Sequence, residues 1–312
     1  MPAVLEFQDI IKDYRALFRR RIVRALDHFT LQVEEGEIFG FLGPNGAGKT
    51  TAIHLAMGFV RPTKGRGLMF GRRFGHAATR RRVGFLAENV ALYHRPAENL
   101  VRFYGALNGL SGETLTRRTR EALETVSLLH EANRNVGKFS RGMLQRIGLA
   151  QAIVHDPDLL ILDEPTSALD PLARYAVREM LLDWRRRGKT IFLSSHLLSE
   201  VELVCDRIAV LNKGRVVRVG RPLDLLESRE HFEIIASGVP ADSLPGTEVQ
   251  TDGRIRFLVT AHAQRAMLER IWALGGEVIS VSPHKRTLED LFLELTGGPG
   301  AEPRFRPKQE AP

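Results

Sequence analysis

A single cysteine, Cys205, stands in 312 residues, so no disulfide can form within the chain. A fold stapled by cross-links is excluded, and the composition suits a reducing compartment. Aromatic residues are few, at 7%, with 2 tryptophans and 4 tyrosines. The arginine clusters therefore lack the interleaved rings of a stacking platform for single-stranded nucleic acid. Long apolar runs are missing as well. Stretches such as Leu159-Leu160-Ile161-Leu162 are strand-sized, whereas a membrane-crossing helix needs roughly 20 apolar residues. Met1 to Phe7 shows neither a basic n-region nor an apolar leader segment, so the chain is expected to be soluble or peripheral. No tandem repeat is visible.

What is present begins with charge. The net charge is +8, and arginines cluster at Arg19-Arg20-Arg21 with Arg24, at Arg80-Arg81-Arg82 and at Arg185-Arg186-Arg187. Such clusters can meet nucleic acid or an anionic membrane face. A solvated surface on an arginine-rich protein is the preferred reading, and no nucleic acid is expected as a partner. The length allows one large domain plus a small one, with an apolar fraction sufficient for a real core.

Gly43-Pro44-Asn45-Gly46-Ala47-Gly48-Lys49-Thr50 fits the pattern Gly-x-x-x-x-Gly-Lys-Thr. An apolar strand, Glu37 to Leu42, precedes it, and a helical stretch from Thr51 to Met57 follows. That strand–loop–helix context marks a phosphate-binding loop. Backbone N–H groups of the loop and the helix N-terminus can face one concavity and attract anionic oxygens. Gly46 and Gly48 let phosphate approach the main chain. Lys49 would place its ammonium on the β- and γ-phosphates, and Thr50 would offer its hydroxyl to Mg²⁺. A second such loop is absent, so the chain carries half of anything that needs two.

A second segment supplies carboxylates. Leu159 to Leu162 is an apolar strand that ends in Asp163-Glu164. Two acids at the end of a buried strand need a purpose. Asp163 would hold Mg²⁺ opposite Thr50, and Glu164 can polarise an attacking water.

Along the chain, Leu5-Glu6-Phe7 and Phe29 to Val33 alternate as an antiparallel sheet would, with Glu35-Gly36 as a turn. Leu68 to Phe70 and Val83 to Leu86 are short strands. From Pro96 to about Asp156 the pattern is helical. Pro96 suits a first helical position and Ser111 an N-cap ahead of Glu113 to Val126. Strands return at Leu159 to Leu162, Thr190 to Ser194 and Arg207 to Leu211, and Asn212-Lys213-Gly214 turns a hairpin into Arg215 to Val219. Strands separated by helices predict a largely parallel sheet with its ligand at the strand C-termini. Near Ser228 the character changes. Phe232 to Ala236, Ile255 to Val259 and Glu277 to Val281 read as strands. Ala263 to Leu274 reads as a helix closed by Gly275-Gly276, and Thr287 caps a last helix ending before Gly297-Gly298.

Four further segments complete the pattern. They are Lys138 to Arg146 around Ser140-Arg141-Gly142-Met143, Ser167 to Asp170, Ser194-Ser195-His196, and Glu88 just after Val83 to Ala87. In this order and spacing the chain resembles the ATP-binding subunit of ABC transporters, over residues 1 to about 225. Residues 225 to 298, ending in Thr287-Leu288-Glu289-Asp290-Leu291-Phe292-Leu293-Glu294-Leu295, look like the C-terminal extension of the branch that partners ABC-2-type permeases.

The resemblance implies the fold. It is α/β: a P-loop NTPase core of ABC ATPase type, with an antiparallel β subdomain, a helical subdomain and a small α/β C-terminal module. The expected domains are 1–226 (helical part about 91–156) and 227–298, with a disordered tail at 299–312. It also implies roles. Gly43 to Thr50 with Thr51 bind the nucleotide, and Lys49, Glu164 and His196 serve hydrolysis, His196 by contacting the γ-phosphate. Thr50, Asp163 and Glu88, the last at the Q-loop position, reach Mg²⁺. Ser140, Arg141, Gly142 and Met143 form the signature that meets ATP on the opposite subunit, and Asp170 links the two sites. Tyr14 is the favoured adenine-stacking aromatic, with Phe18 its competitor. ATP and Mg²⁺ are the implied cofactors. The implied partners are a second copy and an integral membrane ABC-2-type permease, and an anionic membrane face is possible. The place is the cytoplasmic face of the membrane, with export the favoured direction. The other readings are a soluble ABC-type ATPase acting on ribosome or nucleic acid and a non-hydrolysing nucleotide-gated regulator.

Two motifs depart from the family pattern. The usual signature is Leu-Ser-Gly-Gly-Gln, against Phe139-Ser140-Arg141-Gly142-Met143 here, and Glu88 stands where glutamine is usual. Ser140 and Gly142 keep the anion contact. A carboxylate at 88 accepts but cannot donate an amide hydrogen bond.

Overall fold

The computed structural model describes residues 2–15, 22–88, 95–167, 169–226, 231–240, 244, 248–249, 253–283 and 287–296. In chain order the elements are β1 (Ala3–Arg15), β2 (Ile22–Glu34), β3 (Ile38–Leu42), α1 (Lys49–Ala56), β4 (Lys64–Met69), β5 (Arg72–Arg73), α2 (Ala77–Arg80) and β6 (Val83–Leu86). Then come α3 (Ala97–Leu107), α4 (Gly112–Thr125), α5 (Arg141–Ile153), β7 (Leu159–Asp163), α6 (Pro171–Arg186), β8 (Thr190–Ser195), α7 (Leu198–Val204), β9 (Arg207–Asn212), β10 (Arg215–Gly220) and α8 (Pro222–Leu226). The last are β11 (His231–Ser237), β12 (Glu248–Val249), β13 (Ile255–Thr260), α9 (Gln264–Ala273), β14 (Glu277–Pro283) and α10 (Leu288–Thr296). The chain divides into two compact units, Met1–Pro222 and Leu223–Pro312.

The first unit holds two sheets. An antiparallel sheet runs β2-β1-β4-β5, and a six-stranded sheet runs β10-β9-β3-β8-β7-β6. In the second sheet β6, β7, β8, β3 and β9 pair in parallel, and only β10 is antiparallel. β3, β7 and β8 are buried along their whole length, so they read as apolar runs rather than as alternation. Parallel strands share one C-terminal edge. Leu42 pairs with Ser195 and Asp163 with Ser194, so the loop after β3, the acids at the end of β7 and the end of β8 meet at that edge.

One core joins the sheets. Phe7 of β1 packs edge-on against Phe29 of β2 at 5.0 Å, Phe29 against Phe41 of β3 at 5.8 Å, and Phe41 against Phe192 of β8 at 5.3 Å. Ile53 and Leu55 of α1 are buried in the same cluster, so the helix that follows the loop is anchored from behind.

In the second unit the sheet order is β12-β13-β11-β14, antiparallel throughout. Ile234, Ala236, Ile255, Phe257 and Val259 form one buried face, closed by Ile271 of α9. Asp290 accepts from the N–H of Thr287, and Thr287 Oγ1 accepts from the N–H of Asp290, so α10 opens with a reciprocal cap. Gly297-Gly298 and the tail from 299 lie outside the described residues.

Two local readings shift. Pro96 stands one residue before α3, in an extended conformation with ψ 145°, rather than inside the first turn. Ser111 occupies the cap position of α4, but its side chain accepts no N–H from that helix. The arginine clusters are partly neutralised. Arg82 pairs with Asp158 at 2.6 Å, Arg185 with Asp206 at 2.6 Å, and Arg187 with Asp183 at 2.5 Å. Arg19-Arg20-Arg21 lies outside the described residues.

Candidate active site

The loop after β3 turns on two glycines. Gly46 and Gly48 have φ of +79° and +111°, in the left-handed region that favours glycine. Alternating handedness turns successive N–H groups to one side, the geometry of an anion nest. A Cβ at Gly48 would stand 2.5 Å from the carbonyl oxygen of Ala25 on β2, so the loop is pressed against the antiparallel sheet. Lys49 is buried, and its Nζ donates to the carbonyl oxygens of Gly43 (2.6 Å) and Pro44 (3.4 Å). Burial holds its pKa below the usual lysine value, and the carboxylates of Glu164, Asp163 and Glu88 oppose that shift. Glu88, exposed just past β6, is thus within electrostatic reach of the loop.

The two acids at the end of β7 do different things. Asp163 Oδ1 accepts a 2.5 Å hydrogen bond from Ser194 Oγ, and Oδ2 accepts from Thr50 Oγ1 at 3.5 Å. Glu164 Oε2 meets His196 Nδ1 at 2.7 Å and the His196 N–H at 3.4 Å. The Glu164 side chain is 10% exposed and that of His196 55%. Burial raises the Glu164 carboxyl above the ordinary glutamate value, against the pull of His196 and Lys49. Glu164 is also left-handed, with φ +54°. A residue with a Cβ held there costs on the order of 1 kcal/mol, and such outliers cluster at functional sites. A buried, aimed carboxylate beside a histidine can take a proton from water.

Thr50 and Asp163 offer only oxygen donors, and Thr50 is exposed toward solvent. Among the described residues no cluster of three or more His, Cys, Asp or Glu could hold a metal by itself. The oxygen donors of Thr50 and Asp163 fit Mg²⁺, which takes one or two side chains and completes its shell with water and phosphate.

Other sequence-predicted residues lie as follows. Ser140 is exposed at the N-cap of α5, its Oγ accepting from the Met143 N–H at 3.3 Å, with Arg141 and Gly142 in the first turn. Asp170 caps α6 through Ala173 at 2.8 Å. Tyr14 is 39% exposed on β1 opposite Val23, with Lys12 Nζ 4.9 Å from its ring centre. Lys12 pairs with Leu26, which touches Gly48, so Tyr14 sits on the ribbon that crosses the loop. Phe18 lies outside the described residues.

Two contributors had no role in the sequence reading. Ser194 is wholly buried and grips both Asp163 and the Glu164 N–H. Gln145, on α5, donates to the Glu164 carbonyl at 3.0 Å. A polar residue ending an apolar strand was the available signal for Ser194. Gln145 gave none, because its target is main chain.

The sequence profile of the ABC transporter family matches residues 26–167. The bacitracin transport ATP-binding protein BcrA of Bacillus licheniformis is 34% identical over 316 residues, 96% of this chain and 99% of its own. The Nod factor export ATP-binding protein I of Cupriavidus pinatubonensis is 36% identical, over 95% of this chain and 92% of its own. The chain belongs to the ABC transporter ATP-binding proteins. A solved ATP-binding subunit of an ABC transporter superposes with TM-score 0.64 at 32% identity, covering 71% of this chain and 91% of its own. A dimeric ATP-binding cassette in a post-hydrolysis state with ADP and Pi gives TM-score 0.65 at 25% identity, over 70% of this chain and 98% of its own. The fold of this ABC subunit is the P-loop α/β fold of those cassettes, and its activity is ATP hydrolysis. No helix among the described residues is long and apolar enough to cross a membrane.

Proposed function

We propose that two copies of this subunit clamp two Mg-ATP molecules between the phosphate loop of one and the Ser140 cap of the other. Hydrolysis then releases the clamp and drives export through a separate ABC-2-type permease at the cytoplasmic face of the membrane. The observation that carries the reading is the division of labour between adjacent acids. Asp163 faces Thr50, and Glu164 is buried against His196.

Residues 43–51 hold the triphosphate, and Lys49 moves from the Gly43 and Pro44 carbonyls to its β- and γ-oxygens. Thr50 and Asp163, with Glu88 nearby, would hold Mg²⁺, which neutralises charge on the phosphates when bound. Glu164 orients the water for in-line attack, and His196 steadies that carboxylate and contacts the γ-phosphate. Ser140 and Gly142 present a helix N-terminus to the ATP of the other copy, a favourable place for anionic oxygens. Asp170 links the two sites across the seam, and Tyr14 stacks on adenine. Relatives named for bacitracin transport and Nod factor export support export through a partner.

Phosphate release by the purified subunit tests the chemistry. Lys49→Ala and Glu164→Gln should each lower turnover by about 10²–10³-fold, the scale for losing one main electrostatic contributor. Wild-type turnover in Lys49→Ala would remove the reading. Co-purification of a membrane permease with the subunit tests the partner.

A further inference from the structure

The two peptide groups that flank the Glu164 Cα are both gripped. The Glu164 N–H donates to the carbonyl and the hydroxyl of Ser194, each at 3.2 Å. Its carbonyl accepts from Gln145 Nε2 at 3.0 Å and from Ser167 Oγ at 3.2 Å. The two carbonyl donors are not equivalent. Ser167 is exposed and lies three residues on, so it moves with the turn it would restrain. Gln145 is 4% exposed and comes from α5, the helix that Ser140 caps. The conformation held is the left-handed one at φ +54°. In the ordinary right-handed region the Glu164 side chain would leave the peptide in another direction, away from His196.

We propose that Gln145 is a positioning residue for hydrolysis: its buried amide fixes the plane of the Glu164–Pro165 peptide and thereby aims the carboxylate. This rests on the reading of Glu164 given above. The same bond ties that aim to α5, so the carboxylate keeps its direction only while α5 keeps its place. A Gln145 that merely satisfied a buried carbonyl would affect folding alone.

The test is a double-mutant cycle on ATP hydrolysis with Gln145→Met, which keeps length and removes the donor. The expected result is a kcat lower by about 10–100-fold, the scale of a displaced catalytic group, with KM for ATP within about 2-fold and the melting temperature nearly kept. In a Glu164→Gln background, adding Gln145→Met should produce no further loss of single-turnover rate, because the group it aims is already gone. An unchanged kcat, or losses that multiply in the double variant, would overturn the proposal. Wild-type turnover in Glu164→Gln alone would instead sink the reading of Glu164, and this inference with it. If Gln145→Met does not fold, Gln145→Leu enters the same cycle, since it too lacks the donor.

Discussion

Burial raises the Glu164 carboxyl above its ordinary value of 4.5 although a histidine and a lysine pull it down. The group is therefore harder to ionise folded than unfolded. Its contribution to stability is complete below the unfolded value and is lost as pH rises through the folded one. Glu164→Gln should thus melt higher than the wild type at neutral pH, and the difference should shrink toward pH 4 in a calorimetric pH series. Activity carries the opposite sign. The base must be ionised to accept a proton, so kcat/KM should fall on the acid side through the raised Glu164 value, above that of a free glutamate. A pH–rate profile with no acid limb above 4.5 would count against Glu164 as the base.

At the scale of elements, the phosphate loop distinguishes its two left-handed glycines. Gly46 has φ +79° with nothing within 4 Å of an added Cβ, whereas Gly48 has φ +111° and the Ala25 carbonyl at 2.5 Å. Gly46→Ala meets no protein atom, so within the loop itself it meets only the backbone penalty, about 1–2 kcal/mol. Gly48→Ala must in addition push the loop off β2. Thermal denaturation of the nucleotide-free subunit should therefore show Gly48→Ala destabilised more than Gly46→Ala, by about 1 kcal/mol or more. Equal stabilities would mean that the loop is not braced by the ribbon. Helices α5 and α6 begin with capped N-termini at Ser140 and Asp170, so both segments present ordered first turns before any ligand arrives.

At the scale of the molecule, each unit has its own apolar core, one spanning both sheets of Met1–Pro222 and one under α9 in Leu223–Pro312. The site residues all belong to the first unit, yet it contains one phosphate loop and one Ser140 cap. A clamp therefore requires a second copy. Glu164→Gln with Mg-ATP should double the mass measured by light scattering and return to monomer with ADP. A monomer at saturating ATP would refute the clamp.

The sequence alone determined the loop, the carboxylate strand and the family. Their signals are local: glycines at fixed spacing, an apolar run that stops at two acids, a strand on one side and a helix on the other. It located most strands too, because burial on both faces leaves an uninterrupted apolar stretch, as in Leu159 to Leu162. Ser111 shows the limit of such reading: the residue type suits a cap, but the hydrogen bond is not made. Only the tertiary structure decided which atoms meet. Parallel pairing brings Ser194 beside Asp163, and the fold of α5 carries Gln145 to the Glu164 carbonyl, 19 residues away in the chain. Contacts to main chain leave no mark on the residue contacted, and backbone handedness at Glu164 is set by its neighbours in space. Such features follow from packing, which a one-dimensional pattern does not encode.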